Sequence, residues 1–128
     1  MNIKILVIDD DQIIRKAFTL ALKESGYEVH TAESGEKGLD MESKTHYHLI
    51  FLDLNMPGLN GIETLKELRK KNKLVPVYII TSFHEEYIKE LSKASMRGID
   101  FDVLKKPIGK EEIVSITNAV INSTLSEF

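Results

Sequence analysis

The segment Ile3-Lys4-Ile5-Leu6-Val7-Ile8 is β-branched and almost continuously apolar, and it runs directly into Asp9-Asp10-Asp11. An apolar run of this length predicts a β-strand that helices cover on both faces. Two later runs have the same character, namely His48-Leu49-Ile50-Phe51-Leu52 and Val75-Pro76-Val77-Tyr78-Ile79-Ile80. These three runs are therefore expected to be the central strands of a sheet.

Two further runs, residues 27–31 and 100–104, alternate apolar and polar side chains. This alternation is typical of edge strands. A helix-like segment follows each of the five runs, and all of the connections look short. Strict alternation of strands and helices predicts a parallel sheet with right-handed crossovers, which is a doubly wound α/β domain.

Capping residues delimit the predicted helices. Asp11 and Ser34 are suited to cap the first two helices, and Gly26 suits the left-handed position after the first. Asn60 and Glu63 have the spacing of a capping box at the start of the third. Helical spacing predicts one buried stripe on the first helix, made of Ile13, Ile14, Ala17, Phe18, Ala21 and Leu22.

Length and composition limit the function classes. The chain has 128 residues, of which 42% are hydrophobic, so we expect one globular domain over residues 1–121 and a polar tail or linker start over 122–128. The absence of Cys excludes thiolate chemistry, and the net charge of -3 argues against direct nucleic-acid binding by this domain. With no run near the roughly 20 apolar residues of a membrane span, we expect a cytoplasmic protein without membrane contact.

Polar residues follow four of the five runs at the point where each predicted strand ends. They are Asp9-Asp10-Asp11, Asp53, Thr81-Ser82 and Lys105-Lys106-Pro107. The carboxyl ends of parallel strands meet at one edge of the sheet, which is where ligands bind in this architecture. Clustered carboxylates repel one another unless a cation offsets their charge, and Mg²⁺ prefers such oxygen ligands. The sequence therefore predicts a magnesium site beside a Lys ammonium and a hydroxyl.

An Asp next to Mg²⁺, a Lys and a hydroxyl has the groups needed to accept a phosphoryl group on its own carboxylate. In this chain the motifs are Val7-Ile8-Asp9-Asp10-Asp11, Leu52-Asp53-Leu54-Asn55-Met56-Pro57-Gly58, Thr81 and Lys106-Pro107. In this order and spacing they resemble the receiver domain of bacterial response regulators, the CheY-like superfamily. The resemblance covers essentially the whole chain and implies a five-stranded, flavodoxin-like sheet in the order 2-1-3-4-5.

The resemblance also implies a role for each residue of the site. Asp53 matches the phosphoacceptor, and Asp10 matches the direct metal ligand. Asp9 matches a second acidic residue that acts through water, and the backbone carbonyl of Asn55 matches the third protein ligand of Mg²⁺. The side chains at Asn55 and Phe83 occupy positions that tune the lifetime of the phosphoryl group in the family.

Thr81 matches the family's switch hydroxyl, and Lys106 matches its phosphate-contacting ammonium. One switch position departs from the pattern, because the family usually has Tyr or Phe where this chain has Val103. Phe101 takes over part of that role only if the fifth strand carries a bulge. The departure puts the standard switch in doubt but leaves phosphorylation intact.

The resemblance implies protein partners rather than small-molecule substrates. A histidine kinase or phosphotransfer protein supplies the phosphoryl group, and the surface of the fourth helix, fifth strand and fifth helix then controls a partner or output domain. Dimers form through the same surface in many family members, so a homodimer is left open. The kinase, the pathway and the output are not encoded in any recognisable motif.

Two other function classes compete with a phosphorylated signalling module. A haloacid-dehalogenase-like phosphatase would use Asp53 as nucleophile, but it needs a second Asp where this chain has Asn55, which cannot transfer a proton. A pseudo-receiver with a silent site conflicts with the full set of site residues, although Val103 keeps it open. We therefore expect a module that catalyses only its own phosphorylation and dephosphorylation, and not a turnover enzyme.

The position of Phe83, two residues after Thr81, generates a first prediction. A bulky apolar side chain there is expected to hinder access of water to the phosphoryl group. Phe83→Ala should therefore lose phosphate faster than the wild type when the loss is followed by intact mass. An unchanged rate of loss would contradict this role for Phe83.

Overall fold

The structure, a computed structural model, describes residues 2–72, 74–82 and 85–126. Within these residues, parallel strands form one sheet in the order β2-β1-β3-β4-β5. The strands are β1 Lys4–Ile8, β2 Glu28–Ala32, β3 Leu49–Asp53, β4 Val77–Thr81 and β5 Asp102–Lys105. The predicted fold class, strand order and assignment of central and edge strands are confirmed.

The helices cover both faces of the sheet. They are α1 Gln12–Glu24, α2 Gly35–Lys44, α3 Gly61–Lys71, α4 Glu85–Met96 and α5 Lys110–Ser126. Apolar residues of α1 and α5 pack into the core on one face, and those of α2, α3 and α4 pack into the core on the other. Each face therefore has its own hydrophobic core.

The central strands contribute to both cores at once. In β1, Ile5 and Val7 belong to the core under α1 and α5, whereas Leu6 and Ile8 belong to the opposite core. Successive side chains of a strand point to opposite faces, so a strand covered on both sides must be apolar throughout. Every residue of β3 is buried, including the carboxylate of Asp53 at its end.

The predicted helix caps are confirmed, but the predicted stripe of α1 is wrong at two positions. Phe18 is buried, while Ile13 is 77% exposed and Ala17 is also exposed. At 3.6 residues per turn, Ile13 and Ala17 lie roughly 100° or more around the helix from Phe18. The six apolar positions are too widely spread for all of them to face the sheet.

The C-terminal region differs from the expectation of a polar tail, because α5 continues past residue 121 to Ser126. The domain boundary itself stays a prediction.

In β5, Asp102 to Lys105 pair in unbroken register with Tyr78 to Thr81, so this ladder contains no bulge. Phe101 precedes the strand and packs against the same core as Val103.

Within the described residues, no helix has the length and apolar character to cross a lipid bilayer.

Gly61 allows the start of α3 to pack against the end of β3. Its N–H donates to the carbonyl of Leu54 at 3.0 Å, and a Cβ at this position would lie 2.4 Å from the Asp53 carbonyl oxygen. Contacts this short require the backbone to shift. A glycine here therefore keeps α3 close to the strand end that carries Asp53.

This close contact predicts the cost of adding one methyl group. Gly61→Ala should lower the free energy of unfolding by about 1–3 kcal/mol, as overpacking does in well-packed sites. Gly109→Ala is the matched control, because a Cβ at Gly109 has no atom within 4 Å among the described residues. Urea titrations of both variants test the difference, and equal midpoints for the two would contradict the close contact.

Candidate functional site

The carboxyl ends of β1, β3 and β4, together with the loop after β5, enclose a polar cleft of about 440 Å³. Its lining residues are Asp9, Asp10, Asp11, Asp53, Asn55, Thr81, Ser82, Tyr87 and Lys106. The structure therefore brings together the residues that the sequence predicted from the ends of separate strands. This placement follows from the parallel sheet, in which every strand ends at the same edge.

Asp53 lies at the base of the cleft and is only 2% exposed. Lys106 Nζ approaches Asp53 Oδ1 at 2.9 Å, which makes a close ion pair. The backbone N–H of Lys106 donates to the carbonyl of Thr81 at 2.8 Å, and the Lys106-Pro107 peptide bond is cis. The loop after β5 is thus fixed against the end of β4 with its ammonium directed at Asp53.

Asp9 is the second buried carboxylate, with an exposed fraction of 1%. Its Oδ1 accepts a hydrogen bond from the Asp11 N–H at 2.9 Å, and its backbone carbonyl accepts one from Arg15 Nη1 at 2.8 Å. Its Oδ2 accepts no hydrogen bond from the described residues and lies 3.9 Å from Lys106 Nζ. One oxygen is thus oriented by backbone, while the other is left for a ligand.

The site carries more negative charge than its own residues neutralise. Burial raises the pKa of Asp9 from 3.8 to about 6, an effect that the Asp11 hydrogen bond opposes and the Asp53 charge reinforces. Burial also raises the pKa of Asp53, against the stabilising influence of Lys106. Burial alone would lower the pKa of Lys106, but the attraction of Asp53, Asp9 and Asp10 outweighs it and the net pKa is raised.

A divalent cation fits this arrangement. Asp9, Asp10 and Asp53 each offer a carboxylate oxygen, and these oxygens all lie within 4.8 Å of one another. Three carboxylates beside one ammonium leave two negative charges in excess, and Asp9 Oδ2 is a buried acceptor without a donor among the described residues. Hard oxygen ligands with open coordination positions suit Mg²⁺. The residues therefore match the predicted cofactor.

The remaining predicted site residues fall into three groups. Thr81 is buried at the end of β4, and Asn55 is exposed in the loop after β3, so both lie at the cleft. Val103 is half-buried in β5 and packs in the core beneath α4, away from the cleft lining. Phe83 lies outside the described residues.

Tyr87 is a site residue that the sequence analysis missed. It belongs to α4 rather than to a strand end, and its hydroxyl donates to Asn55 Oδ1 at 3.1 Å. Its ring packs against the same core as Leu91, four residues further along the helix. The spacing of Tyr87 and Leu91 marks the buried face of α4, but it gives no indication that the Tyr hydroxyl reaches the cleft.

A second, larger cleft of about 680 Å³ lies between the C-terminal half of α3 and the loop that follows α4. Basic residues line it, including Arg69, which donates to the backbone carbonyls of Asp100 at 2.8 Å and Val75 at 2.7 Å. The guanidinium thus holds backbone segments together. The smaller cleft is where acid, base and hydroxyl groups converge, so we assign the site there.

A buried Asp paired with a Lys at the carboxyl edge of a 2-1-3-4-5 sheet, with two further carboxylates beside it, is the arrangement expected of a receiver-type α/β module. The sequence model of the response regulator receiver domain family matches residues 5–118. The chain belongs to this family and is a receiver domain of the two-component response regulators.

Individual relatives agree with this assignment. The cell cycle transcriptional regulator CtrA of Caulobacter vibrioides is 35% identical over 118 residues, which cover 92% of this chain and 50% of CtrA. The chemotaxis response regulator CheY4 of Vibrio cholerae is 29% identical, with a TM-score of 0.81 and coverage of 94% of this chain and 99% of CheY4. A CheY-like receiver from Methanospirillum hungatei, 21% identical, has the same fold, with a TM-score of 0.88 over the full length of both chains. The chain spans about half the length of the curated relatives it matches.

The raised pKa of Asp9 predicts how charge affects the stability of the metal-free protein. The pKa of Asp9 is about 6 in the folded chain, against an ordinary value of 3.8. Its favourable contribution to the free energy of unfolding is therefore complete below pH 4 and is lost as the pH rises through 6. Asp9→Asn keeps an oxygen for the Asp11 N–H and removes the charge. It should therefore raise the free energy of unfolding at pH 7.5 by about 1–3 kcal/mol, with the gain shrinking toward pH 4.

Asp40→Asn is the matched control, because Asp40 lies in an exposed pair with Lys44 and its loss should have little effect. Urea titrations without added metal at pH 4, 6 and 7.5 measure all three proteins. A destabilised Asp9→Asn variant at pH 7.5 would contradict this electrostatic account of the site.

Proposed function

We propose that this receiver domain takes a phosphoryl group onto the carboxylate of Asp53 in the presence of Mg²⁺. The observation that carries the proposal is the ion pair of the buried Asp53 with the half-buried Lys106, 2.9 Å apart, with Asp9 and Asp10 beside it. A buried carboxylate at the base of an open polar cleft is accessible to a donor and protected from bulk water. Thr81 supports the proposal because it is buried, lines the same cleft and carries a hydroxyl that can donate to the bound group.

In the proposed reaction, a carboxylate oxygen of Asp53 attacks the phosphorus atom of the donor. A bond forms between that oxygen and phosphorus as the bond between phosphorus and the leaving group breaks, and the leaving group keeps the electron pair. Lys106, with an ammonium that stays protonated beside Asp53, stabilises the charge on the phosphoryl oxygens. Asp53 must be anionic to attack, and its pairing with Lys106 favours that form.

Asp10, Asp9, Asp53 and the backbone carbonyl of Asn55 are the residues that would hold Mg²⁺, with Asp9 acting largely through water. When bound, the ion supplies a second positive charge next to the phosphoryl oxygens. The chain's own part is to orient these oxygens. Asp9 is oriented through its Asp11 and Arg15 contacts, and Asp53 is fixed by its position at the end of a buried strand.

We propose a histidine kinase or phosphotransfer protein as the donor, and Thr81 as the group that senses the bound phosphoryl. The readout surface would be α4, β5 and α5, acting on a partner protein or on an output domain.

The length of the curated relatives supports an output domain, since the matched segment makes up about half of them. A homodimer through the same surface, a cytoplasmic location and a domain boundary near residue 121 complete the proposal. The net charge of -3 supports a domain that does not itself bind nucleic acid.

Intact mass after incubation with acetyl phosphate tests the phosphorylation. The wild type should gain the mass of one phosphoryl group only when Mg²⁺ is present, and Asp53→Asn should gain none. Asp40→Asn is the control, because it removes an exposed carboxylate that does not line the cleft and should be labelled like the wild type. Labelling of Asp53→Asn, or labelling of the wild type without Mg²⁺, would contradict the proposal.

A turnover assay with a phosphate ester, together with the labelling experiment, separates the proposal from the two competing function classes. A phosphatase would release phosphate continuously from a phosphate ester, whereas the proposed module shows no turnover beyond loss of its own phosphoryl group. A pseudo-receiver would remain unlabelled while folded. If the wild type gains no mass, binding of beryllofluoride in the presence of Mg²⁺ decides between rapid hydrolysis and a silent site.

A further inference from the structure

Tyr87 is the aromatic residue among those that line the described part of the cleft. It comes from α4, and its hydroxyl donates to Asn55 Oδ1 at 3.1 Å. Asn55 follows Asp53 by two residues, and its backbone N–H donates to the Asp53 carboxylate, which lowers the pKa of that group in part. A chain of two hydrogen bonds therefore links the Asp53 carboxylate through Asn55 to α4.

The ring of Tyr87 is anchored at its other end. It packs against the core on the α3 and α4 face of the sheet, in line with Leu91 and Ala94 at helical spacing. Leu91 is 6% exposed and Ala94 is 1% exposed, so this line is the buried face of α4. A displacement of Asn55 would therefore act on a ring that cannot move independently of the helix.

The fifth strand offers no comparable contact with the cleft. Val103 is half-buried in the same core and has no polar atom in its side chain. Phe101 precedes β5, packs against that core and also lacks a hydroxyl. Neither residue can accept or donate a hydrogen bond at the site through its side chain. Tyr87 combines a core-anchored ring with a polar group at the cleft, and it does so from α4.

We propose that the Tyr87–Asn55 hydrogen bond couples the state of Asp53 to the position of α4, and that Tyr87 is a positioning residue of the site. This inference rests on the proposed function. Occupation of the cleft moves the loop after β3, because Asn55 is bonded to Asp53 and its backbone carbonyl is a proposed ligand of Mg²⁺. The Tyr87 hydroxyl transmits that movement to α4, and it also holds the Asn55 side chain at the mouth of the cleft, where it limits entry of water.

Tyr87→Phe tests the coupling because it removes one hydroxyl and keeps the packed ring. Tyr27→Phe is the matched control, since its hydroxyl bonds to Asn118 in α5 and does not line the cleft. The two readouts are the rate of phosphoryl loss, followed by intact mass, and amide hydrogen exchange of α4 with and without Mg²⁺ and acetyl phosphate. The change in α4 exchange on phosphorylation reports the coupling itself. Loss of a contact with a merely structural role would leave that change as it is in the wild type.

We expect Tyr87→Phe to lose the phosphoryl group about three- to tenfold faster than the wild type, a range that one hydrogen bond supports. Exchange of α4 should respond to phosphorylation in the wild type and in Tyr27→Phe, but not in Tyr87→Phe. Rates within twofold of the wild type, together with an unchanged exchange response, would overturn the inference.

A second variant tests the pairing without relying on Tyr87. Asn55→Ala changes an exposed side chain and should give the same loss of exchange response. The double variant should lose the phosphoryl group no faster than Asn55→Ala alone, since both changes break one hydrogen bond. If adding Tyr87→Phe to Asn55→Ala still accelerates the loss by the factor seen in the wild type, the two residues act separately, and the inference is overturned.

The outcome also distinguishes this inference from the proposed function. If the wild type neither gains a phosphoryl group nor binds beryllofluoride in the presence of Mg²⁺, the proposed function fails, and the coupling is then judged from Mg²⁺ alone. Under that condition, an exchange response of α4 to Mg²⁺ that is lost in Tyr87→Phe supports the coupling. An identical response in both proteins overturns it.

Discussion

Two buried carboxylates that share one ammonium are the constraint on which the rest of the site depends. Asp9 and Asp53 are 1% and 2% exposed, and Lys106 is 2.9 Å from Asp53 but 3.9 Å from Asp9. Burying charge in this way is costly unless a partner compensates it. The cost appears in the raised pKa values of both acids. The excess negative charge of these carboxylates therefore suits the site to a divalent cation, at the expense of stability in the absence of one.

The fold creates this constraint by burying all of β3 and all of β1 after Lys4, and by ending both strands at the same edge. The apolar residues of these strands serve the cores on the two faces, so the strand ends are fixed by packing on both sides. Gly61 lets α3 begin against Asp53, and the hydrogen bond between the backbones of Lys106 and Thr81 brings the ammonium to the same edge. Strand ends, and a loop bonded to the end of β4, therefore hold the charged groups, while Asn55 and Tyr87 of α4 border the same cleft.

Much of this arrangement could be predicted from the sequence, because it rests on local patterns. Continuous apolar runs identified the central strands, and polar residues at their ends located Asp53 and Lys106 at one edge. Burial around α1 could not be predicted in full, since Ile13 fits the helical spacing but lies off the sheet-facing side. The Tyr87 contact with Asn55 was also out of reach. It joins residues 32 positions apart and depends on how α4 packs, which no local pattern encodes.

The most direct test of the central claim is a titration of the metal-free, isotope-labelled chain with Mg²⁺, followed by amide NMR. The account predicts saturation at one ion per chain, with the largest shifts at Asp9, Asp10, Asp53 and Asn55. It also predicts that Asp9→Asn weakens binding, while Asp40→Asn binds like the wild type. Shifts that spread over exposed acidic side chains without saturating would contradict the claim that the buried carboxylates form a divalent-cation site.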